Sequence, residues 1–147
     1  MIRSRSPQSP PSHLAIENAR VTEGHRPLDV KTTSAIVATA GAALGLDDVL
    51  AMTFLLAVSA GWAAEQVSSM CSGMSTGDKK LDALLDVIVT VAAGTGKLDP
   101  FVLDEALKEG WTVDELTESF SYIALVLYAA YFADASDTYL NFPAEVQ

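Results

Sequence analysis

From Thr32 onward the polar and apolar residues of this chain fall into long segments ended by glycines, and no stretch alternates apolar with polar residue by residue. That pattern predicts helix throughout and no strand. The apolar positions are densest from Ser34 to Val67, a stretch broken in its middle by Asp47-Asp48. The break predicts two buried helices joined by a turn, over about 32–43 and 48–60, with Asp47 as N-cap of the second and Gly61 past its end. A third helix, about 63–71, closes at Gly73. Leu81, Leu84, Leu85, Ile88 and Val91 share one face of a fourth, which opens near Asp78 and stops at Gly94 and Gly96. The fifth has Asp99 as N-cap, Pro100 in the first helical position and Gly110 beyond its end. The last, about 112–133, opens on a capping box of Thr112 and Glu115, with Trp111 and Leu116 placed to staple across it. Its run SYIALVLYAAYF is too apolar for an exposed surface.

A weak internal repeat runs through this pattern. Gly61-Trp62 followed by Glu65-Gln66-Val67 is echoed 49 residues later by Gly110-Trp111 followed by Asp114-Glu115-Leu116. A Leu-Asp helix start precedes each, Leu46-Asp47 and Leu98-Asp99. Two helical hairpins of similar design would pack their apolar faces on each other.

Composition narrows the reading. At 147 residues the chain suits one all-α domain, over 31–143, between a flexible arm at 1–30 and a short tail at 144–147. The arm carries Pro7, Pro10 and Pro11, with room for a short helix from His13 to Arg20. Half of all residues are hydrophobic, a surplus for a small monomer, which points to subunit interfaces besides a core. The net charge of -10 is uneven. Residues 1–31 hold five Lys and Arg against three Asp and Glu, and the remainder four against sixteen. So acidic a body repels phosphate backbones and argues against nucleic acid. Two aspartates in the middle of 34–67 argue against a membrane span there, and each half alone is too short. One cysteine, Cys71, allows no intrachain disulfide and no thiolate metal cluster; with no signal peptide visible, the cytoplasm is the expected compartment.

The run DKKLDALLDVIVTVAAGTGKLDPFVLDEALKEGWTVDELTESF, followed by YFADASDTYLNFP, resembles the carboxymuconolactone decarboxylase and alkylhydroperoxidase D-like superfamily over about residues 32–143. The resemblance implies an alkylhydroperoxidase D-like helical bundle that assembles as a trimer or hexamer. Redox members carry Cys-x-x-Cys-x-x-x-His at the start of their central helix. Here the cysteine positions fall on Leu46 and Val49, and the histidine position on Thr53. An upstream relay glutamate falls near Ser34, and an Asn-His pair of many relatives falls on Ala133 and Asp134. A vicinal-dithiol peroxidase is therefore excluded, since attack and resolution need two adjacent thiols. Histidine acid/base chemistry has little to work with, because His13 and His25 both lie in the arm.

The remaining candidates are carboxylates and tyrosines. Asp48 is the expected general acid/base, with Asp47, Thr53 and Tyr128 as catalytic companions. Met52, Tyr122, Tyr131 and Asp134 would line a mostly apolar substrate pocket. Each has a plainer alternative: helix capping or solvation for the aspartates, a backbone bond for Thr53, and core or interface packing for the tyrosines. Asp134 and Asp137 could equally end the last helix, and Glu65 and Asp114 repeat each other as helix starts. No metal-ligand cluster is visible and no cofactor is implied. The leading function is a cofactor-independent isomerase, cyclase, lyase or hydrolase acting on a small organic molecule in an apolar interhelical pocket; the alternative is a non-catalytic oligomeric scaffold or small-molecule binder, and a minor alternative is a single-cysteine peroxidase through Cys71.

Overall fold

The computed structural model describes residues 28–140, with side chains as far as Ala135. Among these residues the chain is all-α, without strand: α1 (Val30–Ala43), α2 (Asp47–Ser59), α3 (Ala64–Cys71), α4 (Lys79–Ala93), α5 (Pro100–Lys108) and α6 (Val113–Leu140). The expected helix at 13–20 and the tail at 144–147 lie outside the described residues.

The molecule is built around α1. Eight consecutive residues of it, Ser34 to Gly41, are buried. It packs against α2, α3, α4 and α6, while α5 packs on α4. Ala35, Ala38, Ala40 and Gly41 keep the helix thin enough for four neighbours, and Ile36 supplies the bulk. Facing it, Leu84, Val87 and Ile88 of α4 are fully buried. Complete burial of each such side chain contributes about 1.5–3 kcal/mol relative to exposure.

Of the two helices expected to be buried, only α1 is. Val49, Thr53 and Ala57 of α2 are covered, a narrow stripe at four-residue spacing. Met52, Leu55, Leu56 and Val58 are exposed on the single chain. A helix that is apolar all round gives no periodic signal of which side faces inward, so the pattern could not separate the two.

Most helix starts fall where the polar residues ask for them. Asp78 Oδ1 accepts from the backbone N–H groups of Lys80 and Leu81, and Asp99 Oδ1 from that of Phe101. The capping box opening α6 is complete: Glu115 Oε1 accepts from Thr112 N at 2.9 Å, and Thr112 Oγ1 from Glu115 N at 3.1 Å. Three expectations change. Asp47 does not cap α2; the N-cap is Leu46, which makes no side-chain bond, and both aspartates sit inside the first turn. There they favour the positive end of the helix dipole by charge alone. Asp134 and Asp137 do not end α6, which continues to Leu140. Asp29, assigned to the arm, is the N-cap of α1, its Oδ1 accepting from Thr32 N at 2.7 Å.

The glycine-tryptophan corners before α3 and α6 are built alike. Gly61 and Gly110 both have positive φ, which lets the chain reverse after α2 and α5. Trp62 N donates to Ala57 O and Trp111 N to Ala106 O, each at 3.2 Å. Trp62 Nε1 donates to Lys31 O at 2.8 Å, and Trp111 Nε1 to Lys80 O at 2.6 Å. The ammonium of the same lysine lies over each indole, 4.4 Å from its centroid for Lys31 and 4.7 Å for Lys80. Every partner in one corner lies 49 residues from its counterpart in the other.

Candidate functional site

Asp47 and Asp48 stand at the start of α2, both exposed. They line a shallow cleft of about 310 Å³ with Gly45, Leu46, Val49, Ala130 and Asp134. Three of the expected site residues thus meet, brought together by the packing of α2 on α6. The rest do not join them. Thr53 is buried, and its hydroxyl donates to Leu50 O at 2.9 Å, the local backbone bond of a helical threonine. Met52 lies out on the open side of α2. Tyr122 is half-buried and donates from its hydroxyl to Glu118 Oε2 at 3.3 Å. Burial pushes its pKa up, and the neighbouring Glu118 charge adds to that rise. Tyr128 and Tyr131 are 66% and 68% exposed, and Tyr128 stacks on Phe132 one turn along. The mostly apolar cavity expected around Asp48 is absent from the described residues of the single chain; that carboxylate faces water.

The exposed apolar residues instead form a surface. α2 offers Met52, Leu55, Leu56 and Val58, and α6 offers Leu125, Tyr128, Tyr131 and Phe132. Residues 49–64 and 119–133 contain no charged side chain. Residues Val113–Ala135 of α6 are also long and apolar enough to cross a membrane by length and composition.

A second cleft lies between α1, α4 and the loop joining α3 to α4. It has a volume of about 210 Å³ and is lined by Thr39, Met70, Met74, Leu85, Val89 and the carboxylates of Asp82 and Asp86, among others. Asp82 fastens the loop. Its Oδ2 accepts from Ser75 Oγ at 2.6 Å, and its Oδ1 from Thr76 N at 2.9 Å and Thr76 Oγ1 at 2.7 Å. Burial alone would raise its pKa, but these three bonds outweigh burial and hold it below the ordinary aspartate value. The carboxylate of Asp86, one turn along α4, makes no hydrogen bond or ion pair among the described residues. Asp86 is exposed as a residue, yet partial desolvation raises its pKa, and the Asp82 charge raises it further. Thr39 is 1% exposed and its hydroxyl has no partner among the described residues. Sequence reading missed this cleft, because Thr39 is lost in an apolar run and Asp86 looks like solvated helix surface.

Cys71 is half-buried, its thiol 3.7 Å from Ala38 O, and burial raises its pKa. Among the described residues no three His, Cys, Asp or Glu side chains are grouped to hold a metal ion. No protein-family model matches the chain, and no similar protein was found among curated proteins or among solved structures.

Proposed function

We propose that this chain is a redox-inactive, homo-oligomeric relative of the carboxymuconolactone decarboxylase and alkylhydroperoxidase D-like superfamily, acting as a small-molecule binder in the cytoplasm. The observation that carries the reading is the uncharged face of α2 and α6, which leaves eight large apolar side chains in water on a single chain. An apolar patch of that kind marks an interaction surface. A second copy is its best occupant, because a lone chain this rich in apolar residues has more of them than its core holds. The packing of α6 on α1, α2 and α4 favours a folded partner over a bilayer. The matched tryptophan-lysine corners, 49 residues apart, support two repeated helical hairpins and hence the superfamily's fold. Against thiol chemistry stand the single cysteine and its raised pKa, since the thiolate is the reactive form.

Light scattering on the full chain should report a trimer or a hexamer at micromolar concentration, and Leu55→Glu with Tyr131→Glu should dissociate it. A stable wild-type monomer would overturn the reading.

An enzyme is the second reading, favoured by the meeting of Asp47, Asp48 and Asp134 at one cleft. A copy laid over α2 would exclude water there and push carboxylate pKa values toward neutrality. Once a substrate is found, Asp48→Asn should lower kcat by roughly 10²–10⁴-fold with the oligomer intact. An unchanged rate would remove Asp48 from the mechanism.

A further inference from the structure

We infer that the cleft between α1, α4 and the α3–α4 loop binds a small organic amine, its ammonium held by Asp86 and the Thr39 hydroxyl and its alkyl body by Met70, Met74, Leu85 and Val89. The inference deepens the small-molecule-binding reading, on which it rests, by naming a site and a ligand class.

Thr39 is the first ground. A hydroxyl buried without a partner costs free energy that a valine of the same shape would not. Helical threonines commonly satisfy the hydroxyl on their own backbone, as Thr33 does on Asp29 O, Thr53 on Leu50 O and Thr90 on Asp86 O. Thr39 does not, although the carbonyls of its own turn are at hand. Its counterpart 49 residues on is Ile88, fully buried, so the corresponding place in the second half of the chain is filled without a polar atom. Thr39 lines the cleft, its unused hydroxyl closed off from solvent just behind the wall.

The second ground is charge. Asp82 is committed to Ser75 and Thr76, whereas Asp86 beside it keeps its acceptors free among the described residues. Two carboxylates one helical turn apart repel, and no lysine lines this cleft. A cation placed against Asp86 relieves that repulsion. An ammonium is suited to both groups, since it donates three hydrogen bonds and both Asp86 and Thr39 Oγ1 can accept. A bare metal ion is poorly served, with Asp82 already bonded on both oxygens and no third ligand grouped nearby.

The third ground is the apolar wall. Leu85 and Val89 stand on α4 beside Asp86, and Met70 and Met74 face them from α3 and its following loop. Methionine chains are unbranched and adaptable, so they can move aside to admit a ligand to Thr39 and then repack around an alkyl chain. The volume suits an amine of a few carbons, not a macromolecule.

Titration of the full-length protein with n-butylammonium chloride, followed by calorimetry and by amide NMR, tests this. Saturable binding is expected, with shifts centred on Thr39, Asp86 and Val89. Asp86→Asn and Thr39→Val should each weaken it roughly ten- to a hundredfold, the worth of a hydrogen bond to a charged group. Both changes are nearly isosteric, and Asp104→Asn, at an exposed position of α5 outside the cleft, should leave binding unchanged. Absence of saturable binding, equal affinity in Asp86→Asn, or equal binding of n-butanol would each overturn the amine site. Light scattering of the same samples separates the two readings: an oligomer that ignores the amine sinks only the site, and a monomer that binds it sinks only the assembly.

Discussion

Asp82 and Asp86 lie one turn apart on one helix and titrate in opposite directions. Asp82 is held below its ordinary value by the loop it fastens. It therefore stabilises the fold above the ordinary aspartate range, and that contribution is lost as pH falls through its lowered value. Asp86 is raised. Its ionisation works against the fold, so relative stability is present at low pH and lost as pH rises through the raised value. At neutral pH, Asp82→Asn should lower the melting temperature and Asp86→Asn should raise it; both differences should shrink toward zero in strong acid. Melting curves across pH check both signs. Thr39→Val should also stabilise the unliganded protein, by about 1–3 kcal/mol, the cost of a buried group left unsatisfied. A gain in stability accompanied by a loss of amine affinity would be the mark of a functional hydroxyl. At Cys71 the raised thiol pKa predicts slow alkylation by iodoacetamide at neutral pH, measured by mass spectrometry on the folded protein, and fast alkylation once it is unfolded.

Helix ends were the most legible part of the chain, because caps are local. Asp78, Asp99 and the Thr112–Glu115 pair are read within four residues of the atoms they satisfy. Thr112→Ala should accordingly cost about 1 kcal/mol in denaturant unfolding. The same change has no counterpart at the start of α3, where Ala63 already stands and only Gln66 bonds back, to Ala63 N. What sequence could not reveal depends on partners far along the chain. The echo of Trp62 in Trp111 was visible, but Lys31 and Lys80, each 31 residues earlier, have no pattern to mark them. A lysine ammonium over an indole contributes about 0.5–1 kcal/mol at an exposed site. Trp111 is buried and Trp62 only partly so, so Trp111→Phe should be the more destabilising of the two by denaturant titration. The candidate site was legible only in part. Asp47, Asp48 and Asp134 meet, but Tyr128 and Tyr131 turn outward, because the apolar run of α6 serves both an inner face and an outer one.

On the scale of the whole molecule, an acidic body carries an uncharged face. Copies brought together through α2 and α6 repel through the rest of their surfaces, and salt screens that repulsion within about 10 Å at 0.1 M. Association should therefore strengthen as ionic strength rises, the reverse of assembly through ion pairs, and sedimentation at two salt concentrations distinguishes them.

The central place of α1 has a consequence for the order in which the protein is made. α1 leaves the ribosome first among the six helices, yet two of the helices that cover it, α4 and α6, follow tens of residues later. Until then Ile36, Val37 and their alanine neighbours have only α2 and α3 to lie against. Burial of the innermost helix thus waits on long-range contacts whose loop entropy must be met before any return. A nascent chain stalled before α6 should be bound by chaperones and cut readily by protease, whereas one stalled with α6 clear of the exit tunnel should resist both. Folding is in effect scheduled by the last helix, and an early stop codon anywhere upstream of it should leave no partly useful fragment.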